Sequence, residues 1–266
     1  MDISELRNGP HLSASAINDY LDCGLMYKLS RIDKLKSDLQ SDALEFGKAI
    51  HRVLADFYRV KMLGETPDPD EMEIVFEEYW REAAGENTEI QYRAGKNFET
   101  YLTEGKKLLK EYSHIAMESP FQVLAIEEPF RFDLEELPIP IVGILDLVEE
   151  DESGAIIITD WKTARKSYGN GQIDKNLQLT IYNIALKATG FDDREILLRF
   201  DCLIKSKNPR VDQYYTARTE RDQHRALKKI IRVWEAIERG VFIPNDQSWK
   251  CKGCGYKAHC DRWFAT

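Results

Sequence analysis

The ten residues GAIIITDWKT (154–163) carry the strongest fold signal in the sequence. Three consecutive isoleucines (156–158) form an apolar run that is typical of a strand covered on both faces. Asp160 and Lys162 follow, two positions apart. Because successive side chains of a strand alternate between faces, these two project to the same face. The stretch therefore predicts a buried strand whose end presents a carboxylate beside an ammonium group.

The preceding segment is expected to bring a second carboxylate to the same place. It reads PIPIVGILDLVEE, a strand-like run that carries Asp146. If the two strands pair as a hairpin about the turn DESG, Asp146 lies near Asp160. Two adjacent carboxylates repel each other, and a hard divalent cation such as Mg²⁺ or Mn²⁺ relieves that repulsion.

A lysine beside such a metal would orient a water molecule whose pKa the metal lowers. Asp146, Asp160 and Lys162 together therefore indicate hydrolysis, most naturally of phosphodiesters. A surface ion pair between Asp160 and Lys162 is the competing interpretation, because a D-x-K triplet occurs by chance in most proteins.

Two predicted helices carry further polar residues that such a site would use. His51 lies beside an apolar helical stripe, one turn after Gly47. Gln178 and Tyr182 are four residues apart on the helix that follows the D-x-K strand, so they share one face. Ordinary structural roles are the competing interpretation for all of these residues.

Periodicity along the chain predicts an α/β fold. Residues 13 to about 118 read as helical, with later helices around 70–84 and 91–116. Strand-like segments follow, interrupted by one helix, and the long helix ERDQHRALKKIIRVWEAIERG ends at Gly240. We predict a central mixed sheet flanked by helices, with a helical N-terminal portion.

Composition describes an ordinary globular chain of 266 residues with a net charge of −9. No apolar run approaches the ~18 residues of a membrane span. The N-terminus lacks the features of a signal peptide, so we expect a cytoplasmic protein with no membrane contact. The five cysteines are then expected to be thiols or metal ligands. The acidic charge argues against a general polyanion binder but allows an acidic enzyme with a basic groove.

The C-terminal stretch CKGCGYKAHC looks like one side of a metal site, because it holds Cys251, Cys254 and Cys260. Zinc is one interpretation, since C-x2-C is a common zinc half-site and His259 would complete a Cys3His set. Thiolates are also the expected ligands of iron–sulfur clusters. The residue types alone leave the two metals open.

The order of these motifs resembles the PD-(D/E)XK nucleases, and more narrowly their RecB-like branch. The resemblance covers residues 12–262. The matching motifs, in chain order, are G-x-x-x-H (Gly47, His51), G-x-x-D (Gly143, Asp146), D-x-K (Asp160, Lys162) and Q-x-x-x-Y (Gln178, Tyr182). The opening LSASAINDYLDCGLMYKL is also similar to that branch, except that Cys23 is followed by Gly24 where the family usually has proline.

The resemblance implies a restriction-endonuclease-like core with a catalytic Mg²⁺ or Mn²⁺ bound by His51, Asp146 and Asp160. It implies that Lys162 positions or activates the nucleophilic water. Supporting or DNA-contacting roles are implied for Gln178, Tyr182 and Glu127. The segment ARKSYGNG after Lys162 would form a mobile loop at the mouth of the site.

The resemblance also implies an iron–sulfur clasp. In the AddB-type and CRISPR-adaptation nucleases of this branch, one N-terminal and three C-terminal cysteines hold a [4Fe-4S] cluster. The corresponding residues are Cys23, Cys251, Cys254 and Cys260. Cys202 lies within a strand-like segment and reads as a core residue. The expected role is structural, with the segment 249–262 closing onto Cys23, and Zn²⁺ remains the alternative.

We therefore expect one RecB-like nuclease domain over residues 1–266, with a helical insertion at about 60–118. The expected function is metal-dependent DNA exonuclease activity, on single-stranded DNA or free ends, in repair, recombination, phage or CRISPR-related processing. Tyr168, Tyr214, Tyr215 and Trp249 are candidate stacking residues. The alternative is a catalytically dispensable DNA-binding or structural subunit of a larger complex. Both the exonuclease and the subunit interpretation suggest a helicase or an integrase as a partner.

Overall fold

The computed structural model describes residues 3–85, 89–169, 171–191 and 193–265, apart from the side chain of Trp249. The α-helices are α1 (Ile3–Arg7), α2 (Ala14–Asp22), α3 (Gly24–Tyr27), α4 (Asp42–Met62), α5 (Pro69–Ala84), α6 (Phe98–Glu118), α7 (Leu177–Leu186), α8 (Glu220–Glu238) and α9 (Lys257–Ala265). The strands are β1 (Gln40–Ser41), β2 (Ile90–Gln91), β3 (Gln122–Phe132), β4 (Ile141–Glu150), β5 (Ile156–Ala164), β6 (Ile196–Ile204) and β7 (Arg210–Thr216).

The central sheet has the strand order β3-β4-β5-β6-β7. Strand β5 pairs antiparallel with β4 and parallel with β6, and β6 pairs antiparallel with β7. The sheet is therefore mixed, and the predicted hairpin of β4 and β5 is present. The isoleucines 156–158 are fully buried, because β5 lies in the middle of the sheet and both of its edges are paired. The predicted α/β class with flanking helices is confirmed.

Two compact units make up the chain. The first contains Met1–Gln40, Pro129–Gly143 and Thr219–Thr266, and the second contains Ser41–Glu128 and Ile144–Arg218. The expectation of a single domain over residues 1–266 stays a prediction.

The second unit has an aromatic core formed by its helices. Phe46 of α4 contacts Phe76 and Trp80 of α5 edge-on, with ring centroids 5.7 and 6.0 Å apart. All three rings are fully buried, which contributes about 1.5–3 kcal/mol for each side chain. Gly105 of α6 faces this cluster, and a Cβ atom there would lie 2.1 Å from the Phe76 ring. Glycine at 105 thus lets α5 and α6 approach closely, and any side chain there would displace Phe76.

The start of α4 is fixed by a buried ion pair. Asp42 accepts from the Arg93 guanidinium at 2.8 Å, from the Arg93 backbone N–H at 3.0 Å and from the Tyr101 hydroxyl at 2.8 Å. Burial opposes the charge of Asp42, but these donors outweigh it and lower its pKa to about 2. Because α4 also carries His51, this anchor sets the position of a candidate site residue.

A second buried charge cluster lies on one face of the sheet. The Arg199 guanidinium is 2.7 Å from Glu149 and 3.1 Å from Asp201. The Tyr112 hydroxyl donates to Asp201 at 2.8 Å and accepts from the indole N–H of Trp161 at 2.9 Å. These contacts tie the strand that carries Asp160 to the buried Tyr112 of helix α6.

In the first unit, the helices begin and end at recognisable signals. Ser13 caps α2 by accepting the Ala16 N–H at 3.1 Å. Thr219 and Asp222 form a capping box at the start of α8. Gly240, at φ = 69°, follows the end of α8 as predicted, because glycine adopts this conformation without a steric penalty.

One helix boundary and one helix differ from the sequence expectations. The helix expected from about 91 begins only at Phe98, because Asn97 supplies a capping box and Gly95 adopts a positive φ of 75°. Helix α9 was not expected, since its cysteine-containing sequence has a weak apolar pattern. A Cβ atom at Gly47 would meet Thr163 Oγ1 at 3.8 Å, an ordinary van der Waals contact. None of the described helices is long and apolar enough to cross a membrane.

Candidate functional site

The middle parts of β4 and β5 bring two carboxylates together in the second unit, whereas the sequence predicts them at the strand ends. Leu147 is opposite Thr159 in the antiparallel pairing, and the same register continued by one residue sets Asp146 opposite Asp160. Asp160 is completely buried, and Asp146 retains only a small exposed fraction. The alternation of strand side chains therefore places both carboxylates beside Lys162, as the sequence predicted.

Lys162 closes a ring of polar contacts. Its Nζ atom lies 2.5 Å from Asp160 Oδ2 and donates to Gln178 Oε1 at 3.1 Å. The Gln178 amide donates to the Tyr182 hydroxyl at 2.6 Å, and that hydroxyl donates to Asp160 Oδ1 at 3.3 Å. Gln178 and Tyr182, one turn apart on α7, thus hold the two residues of the D-x-K motif. Surface ion pairing does not describe this arrangement, because Asp160 is buried.

His51 meets the same site from α4. Its Nε2 atom is 2.8 Å from the Trp161 carbonyl oxygen, which can only accept, so Nε2 carries the proton. The lone pair is then on Nδ1, which lies 3.5 Å from Asp146 Oδ2. Burial lowers the pKa of His51, which favours the neutral ring. A neutral imidazole oriented through its other nitrogen is the usual form of a metal ligand.

The electrostatics of the site favour a cation. Burial and then repulsion from Asp160 raise the pKa of Asp146 well above its usual range, although Lys162 and the Trp161 N–H, at 3.0 Å, oppose the shift. Burial opposes the charge of Lys162, but the two carboxylates hold its pKa above the usual value. The local charge is therefore one ammonium against two carboxylates, an arrangement that a divalent cation would complete.

The donor chemistry fits Mg²⁺ or Mn²⁺, which prefer carboxylate oxygens. Asp160 Oδ2 is buried and accepts no well-aligned hydrogen bond despite its short contact with Lys162. Within the described ranges, however, no three His, Cys, Asp or Glu side chains are gathered as a ready-made metal site. The residues that would bind the ion are thus adjacent but do not surround a common point.

The raised pKa of Asp146 predicts a pH-dependent metal effect on stability. A carboxyl group whose pKa is raised on folding stabilises the protein while protonated, so metal-free stability falls as the pH rises from 3.8 through the raised pKa. A divalent cation must displace that proton. We expect Mg²⁺ or Mn²⁺ to raise the free energy of unfolding more at pH 8 than at pH 5.5, by about 1–3 kcal/mol at saturation, and to raise the melting temperature accordingly.

Thermal unfolding with and without the metal at both pH values measures this effect. Asp146→Asn should abolish the pH dependence of the metal effect. An equal increase in melting temperature at the two pH values in the unmodified protein would contradict the prediction.

Glu127 has an unusual backbone that its sequence does not reveal. It adopts φ = 49° within β3, a left-handed conformation that is uncommon for residues other than glycine. Its partly exposed carboxylate pairs with Arg59 at 2.5 Å. Its charge contributes to the raised pKa of Asp146, so it lies near the two aspartates. Strained backbone of this kind is concentrated at functional sites.

Trp161 is the residue that sequence reasoning missed. Its backbone N–H donates to Asp146 and its carbonyl accepts from His51, while its buried indole stacks on Tyr58 at 5.8 Å. The only signal for it was its place between Asp160 and Lys162, where alternation turns its side chain to the opposite face. The peptide of one buried residue thus orients two candidate metal ligands.

The candidate stacking residues lie on different faces of the central sheet. The Tyr168 ring packs against Phe200 at 5.5 Å and against Tyr214 at 6.1 Å, and the Phe200 ring is also 5.5 Å from the Lys162 ammonium. Tyr215 instead lies 5.7 Å from the Arg199 guanidinium on the opposite face. The side chain of Trp249 and Asn170 of the predicted loop ARKSYGNG lie outside the described residues.

In the first unit, the four predicted cysteine ligands line one cavity of about 390 Å³. They are Cys23, Cys251, Cys254 and Cys260. Burial, followed by the charges of the other cysteines and Asp261, raises the pKa of Cys260. Cys202 is buried in β6, as expected for a core residue. The soft thiol donors fit zinc or an iron–sulfur cluster, although they are not gathered as a ready-made metal site in the described structure.

The glycine that follows Cys23 has a steric reason. A Cβ atom at Gly24 would lie 3.0 Å from the backbone nitrogen of Ile243. The C-terminal segment is held there, since Asn245 donates its N–H to Cys23 Sγ at 3.4 Å and its amide to the Asp22 carbonyl at 2.9 Å. The departure from Cys-Pro therefore coincides with a close approach of the chain to the thiol.

Comparison with known proteins gives a family match over nearly the whole chain. The pattern of the PD-(D/E)XK nuclease superfamily matches residues 11–261. The Gene 69 protein of Mycobacterium phage D29 is 25% identical over 273 residues, which cover 94% of this chain and 96% of that protein.

Two solved structures are similar to this chain at low sequence identity. A crystal structure of a candidate exonuclease from Eubacterium rectale gives a TM-score of 0.53 at 12% identity, covering 91% of this chain and 87% of the other. The structure of a protein named SSO0001 gives a TM-score of 0.38 at 15% identity, covering 92% and 93% of the two chains. The first similarity concerns the fold alone.

Proposed function

This chain belongs to the PD-(D/E)XK nuclease superfamily, and from that premise we propose that it is a metal-dependent DNA exonuclease of the RecB-like branch. The observation that carries the proposal is the ring of Asp160, Lys162, Gln178 and Tyr182, with Asp146 and His51 beside it. A structural ion pair would not require a second buried carboxylate and an oriented imidazole at the same place.

Each residue has a role that its contacts support. Asp146, Asp160 and His51 would hold Mg²⁺ or Mn²⁺, which supplies Lewis-acid stabilisation and lowers the pKa of a bound water. Lys162, held between Asp160 and Gln178, would position that water and stabilise negative charge on the phosphodiester. Tyr182 and Gln178 would keep the lysine in place, and Glu127 would add negative charge near the metal.

A cleavage assay on end-labelled DNA tests the activity. With Mg²⁺ or Mn²⁺ we expect products that shorten progressively from one end, and with EDTA we expect intact substrate. Circular DNA without ends should resist the enzyme. Cleavage of circles would replace exonuclease by endonuclease activity, and intact linear DNA under all conditions would favour a binding or structural subunit.

Single-stranded DNA is the proposed substrate. Tyr168 is partly exposed and packs against Phe200, whose ring lies near the Lys162 ammonium, so an unpaired base could stack next to the site. Parallel assays on matched single- and double-stranded substrates measure this preference, and faster digestion of the duplex would contradict it. We also propose that the protein acts in repair, recombination, phage or CRISPR-related DNA processing. Its proposed protein partner is a helicase or an integrase.

We further propose that Cys23, Cys251, Cys254 and Cys260 hold a [4Fe-4S] cluster with a structural role. The shared cavity and the N–H donors from Met26 and Asn245 to Cys23 Sγ, each at 3.4 Å, support thiolate ligation there. The cluster would join the segment before α3 to the C-terminal segment.

The proposed cluster predicts that the protein is brown when it is purified without oxygen. We expect broad visible absorption and about four iron atoms for each chain, because a [4Fe-4S] cluster contains four. Metal analysis and the visible spectrum measure both. A colourless protein that contains zinc and no iron would establish the zinc alternative instead.

A further inference from the structure

A buried hydrogen-bond network in the second unit lies on the face of the central sheet opposite the D-x-K side chains. Tyr112 of α6 is its centre, because its hydroxyl contacts three other side chains. The indole N–H of Trp161 donates to this hydroxyl at 2.9 Å, the Tyr58 hydroxyl lies 3.1 Å away, and Asp201 Oδ2 accepts from it at 2.8 Å. All four side chains are at most 1% exposed, so solvent water does not replace any of these partners.

The direction of each bond in this network follows from donor and acceptor chemistry. An indole N–H can only donate, so the Tyr112 oxygen accepts from Trp161. Asp201, which also contacts the Arg199 guanidinium at 3.1 Å, takes the single Tyr112 proton. Tyr58 is then the donor to Tyr112. One proton and two lone pairs are all used, so the orientation of the Tyr112 hydroxyl is fixed, and with it that of the Trp161 indole.

The peptide of Trp161 is held by side chains on the side of β4. The paired register of β4 and β5 ends at Leu147 and Thr159 in the described structure, two residues before Trp161. The Trp161 N–H donates instead to Asp146 Oδ2 at 3.0 Å, and its carbonyl accepts from His51 Nε2 at 2.8 Å. Because side chains take the place of backbone partners there, the packing of the Trp161 side chain contributes to the position of its peptide.

The indole of Trp161 joins the network to the candidate site. It stacks on the Tyr58 ring with centroids 5.8 Å apart, and the His51 ring meets it edge-on at 5.7 Å. Stacking allows an aromatic ring to turn in its own plane, whereas a hydrogen bond fixes one orientation. The bond to Tyr112 is therefore the directional contact that holds the indole against His51.

We propose that Tyr112 is a positioning residue for the candidate metal site, and that its hydroxyl acts through Trp161 on Asp146 and His51. The proposal rests on the metal site proposed above and adds to it a residue from the opposite face of the sheet. Replacing a group that orients metal ligands typically weakens metal binding by about ten- to a hundredfold. A purely structural Tyr112 would change the free energy of unfolding and leave the Mn²⁺ affinity of the folded protein unaltered.

Mn²⁺ affinity measured without DNA tests this role. In Tyr112→Phe the Trp161 indole N–H loses its acceptor while the aromatic ring at 112 remains, so we expect Mn²⁺ to bind about ten- to a hundredfold more weakly. Electron paramagnetic resonance of free Mn²⁺ measures the affinity, and the binding that Asp146→Asn removes identifies the site. Trp161→Phe removes the same hydrogen bond from its other end and should weaken Mn²⁺ binding to a similar extent.

The double variant Tyr112→Phe, Trp161→Phe separates one shared bond from two independent losses. Because each single change removes the same hydrogen bond, the double variant should bind Mn²⁺ no more weakly than the weaker of the two single variants. The matched control is Tyr58→Phe, which removes the neighbouring hydroxyl but keeps the bond from Trp161 to Tyr112 and the stacked ring. Its Mn²⁺ affinity should stay within about twofold of the unmodified protein.

A second measurement needs neither metal nor DNA. At about pH 8 the imidazole of a histidine is neutral, and nitrogen-15 chemical shifts distinguish its two tautomers. For His51 we expect one tautomer, with the proton on Nε2, in the unmodified protein and in Tyr58→Phe. In Tyr112→Phe we expect a mixture of both tautomers, because the carbonyl that fixes the proton is no longer held in place. The His51 signal is assigned by its loss in His51→Gln.

Three results would overturn the proposal. The first is an unchanged Mn²⁺ affinity in a folded Tyr112→Phe variant, and the second is an equal loss of affinity in Tyr58→Phe. The third is a double variant whose loss is the sum of the two single losses. If Tyr112→Phe does not fold, Trp161→Phe decides in the same way.

Failure of the metal site itself would be distinguishable. If the unmodified protein binds no Mn²⁺, the metal site proposed above is wrong, and the tautomer of His51 decides the role of Tyr112. A mixture of tautomers in Tyr112→Phe then supports that role, and a single unchanged tautomer overturns it.

Discussion

Asp160→Asn is expected to lower the rate of DNA cleavage by roughly a thousandfold while the metal-free protein stays folded. Asp160 is buried between the Lys162 ammonium and the Tyr182 hydroxyl, and it faces Asp146. An amide keeps the size of the side chain but removes an anionic ligand, and losses of this order are typical when a metal ligand or a proton-transfer group is removed. Single-turnover cleavage of an end-labelled strand measures the change.

Lys162→Met should lose activity to a similar extent and have the opposite effect on stability. Asn at 160 removes one of two repelling carboxylates, so we expect an unchanged or higher melting temperature. Met at 162 leaves both carboxylates without their ammonium partner. Because Lys162 is partly exposed, the loss should be about 1–3 kcal/mol, less than for a fully buried pair.

The control for both variants is Asp193→Asn, at an exposed position before β6. It should change neither the rate nor the melting temperature. If Asp160→Asn and Lys162→Met both kept full activity, the candidate site would be wrong. If they lost activity only because both unfolded, circular dichroism would reveal it.

Cys23→Ser and Cys254→Ser are expected to lose the bound metal and to destabilise the protein equally. A structural metal contributes its binding free energy to folding, so the loss of one ligand should cost several kcal/mol, or on the order of 10 °C in melting temperature. Metal content, thermal unfolding and proteolysis of the segment 249–262 measure the three consequences.

Cys202→Ala is the matched control, because Cys202 is the fifth cysteine and is buried in β6 rather than in the cysteine cavity. It should retain all of the metal and lose only the stability that a small buried side chain contributes. If Cys254→Ser lost metal while Cys23→Ser kept it, the three C-terminal cysteines would form a local zinc site with His259.

The sheet could be predicted from the sequence because its signals are local. The run of isoleucines at 156–158 indicated a strand that is buried on both faces, and the DESG turn indicated a hairpin. The start of α6 at Phe98 could not be predicted, since it depends on a side-chain cap and on the positive φ of Gly95 rather than on apolar periodicity. The contact between Gly24 and Ile243 depends on residues that are more than 200 positions apart, so it had no sequence signal.

The proximity of the candidate site residues was predictable where it depends on side-chain spacing. Asp146, Asp160, Lys162, Gln178 and Tyr182 are brought together by two regular periods, one of a strand and one of a helix. Trp161 and Glu127 were different, because their contributions are made by backbone atoms and by a backbone angle. The hydrogen bonds of a backbone peptide and a left-handed φ angle do not depend on a particular side chain, so one sequence does not reveal them.

The two faces of the sheet carry the same three charges in different surroundings. Asp146, Asp160 and Lys162 lie on one face, and Glu149, Asp201 and Arg199 lie on the other.

On the second face, Asp201 accepts from the Tyr112 hydroxyl and the Gln213 amide, so a neutral phenol and a neutral amide stabilise its charge. An inactive descendant of this chain could evolve by the same route. One new phenol or amide beside Asp146 would supply from the protein the stabilisation that we propose a bound cation supplies. Such substitutions would identify, among related sequences, the subunits that kept the fold and gave up the reaction.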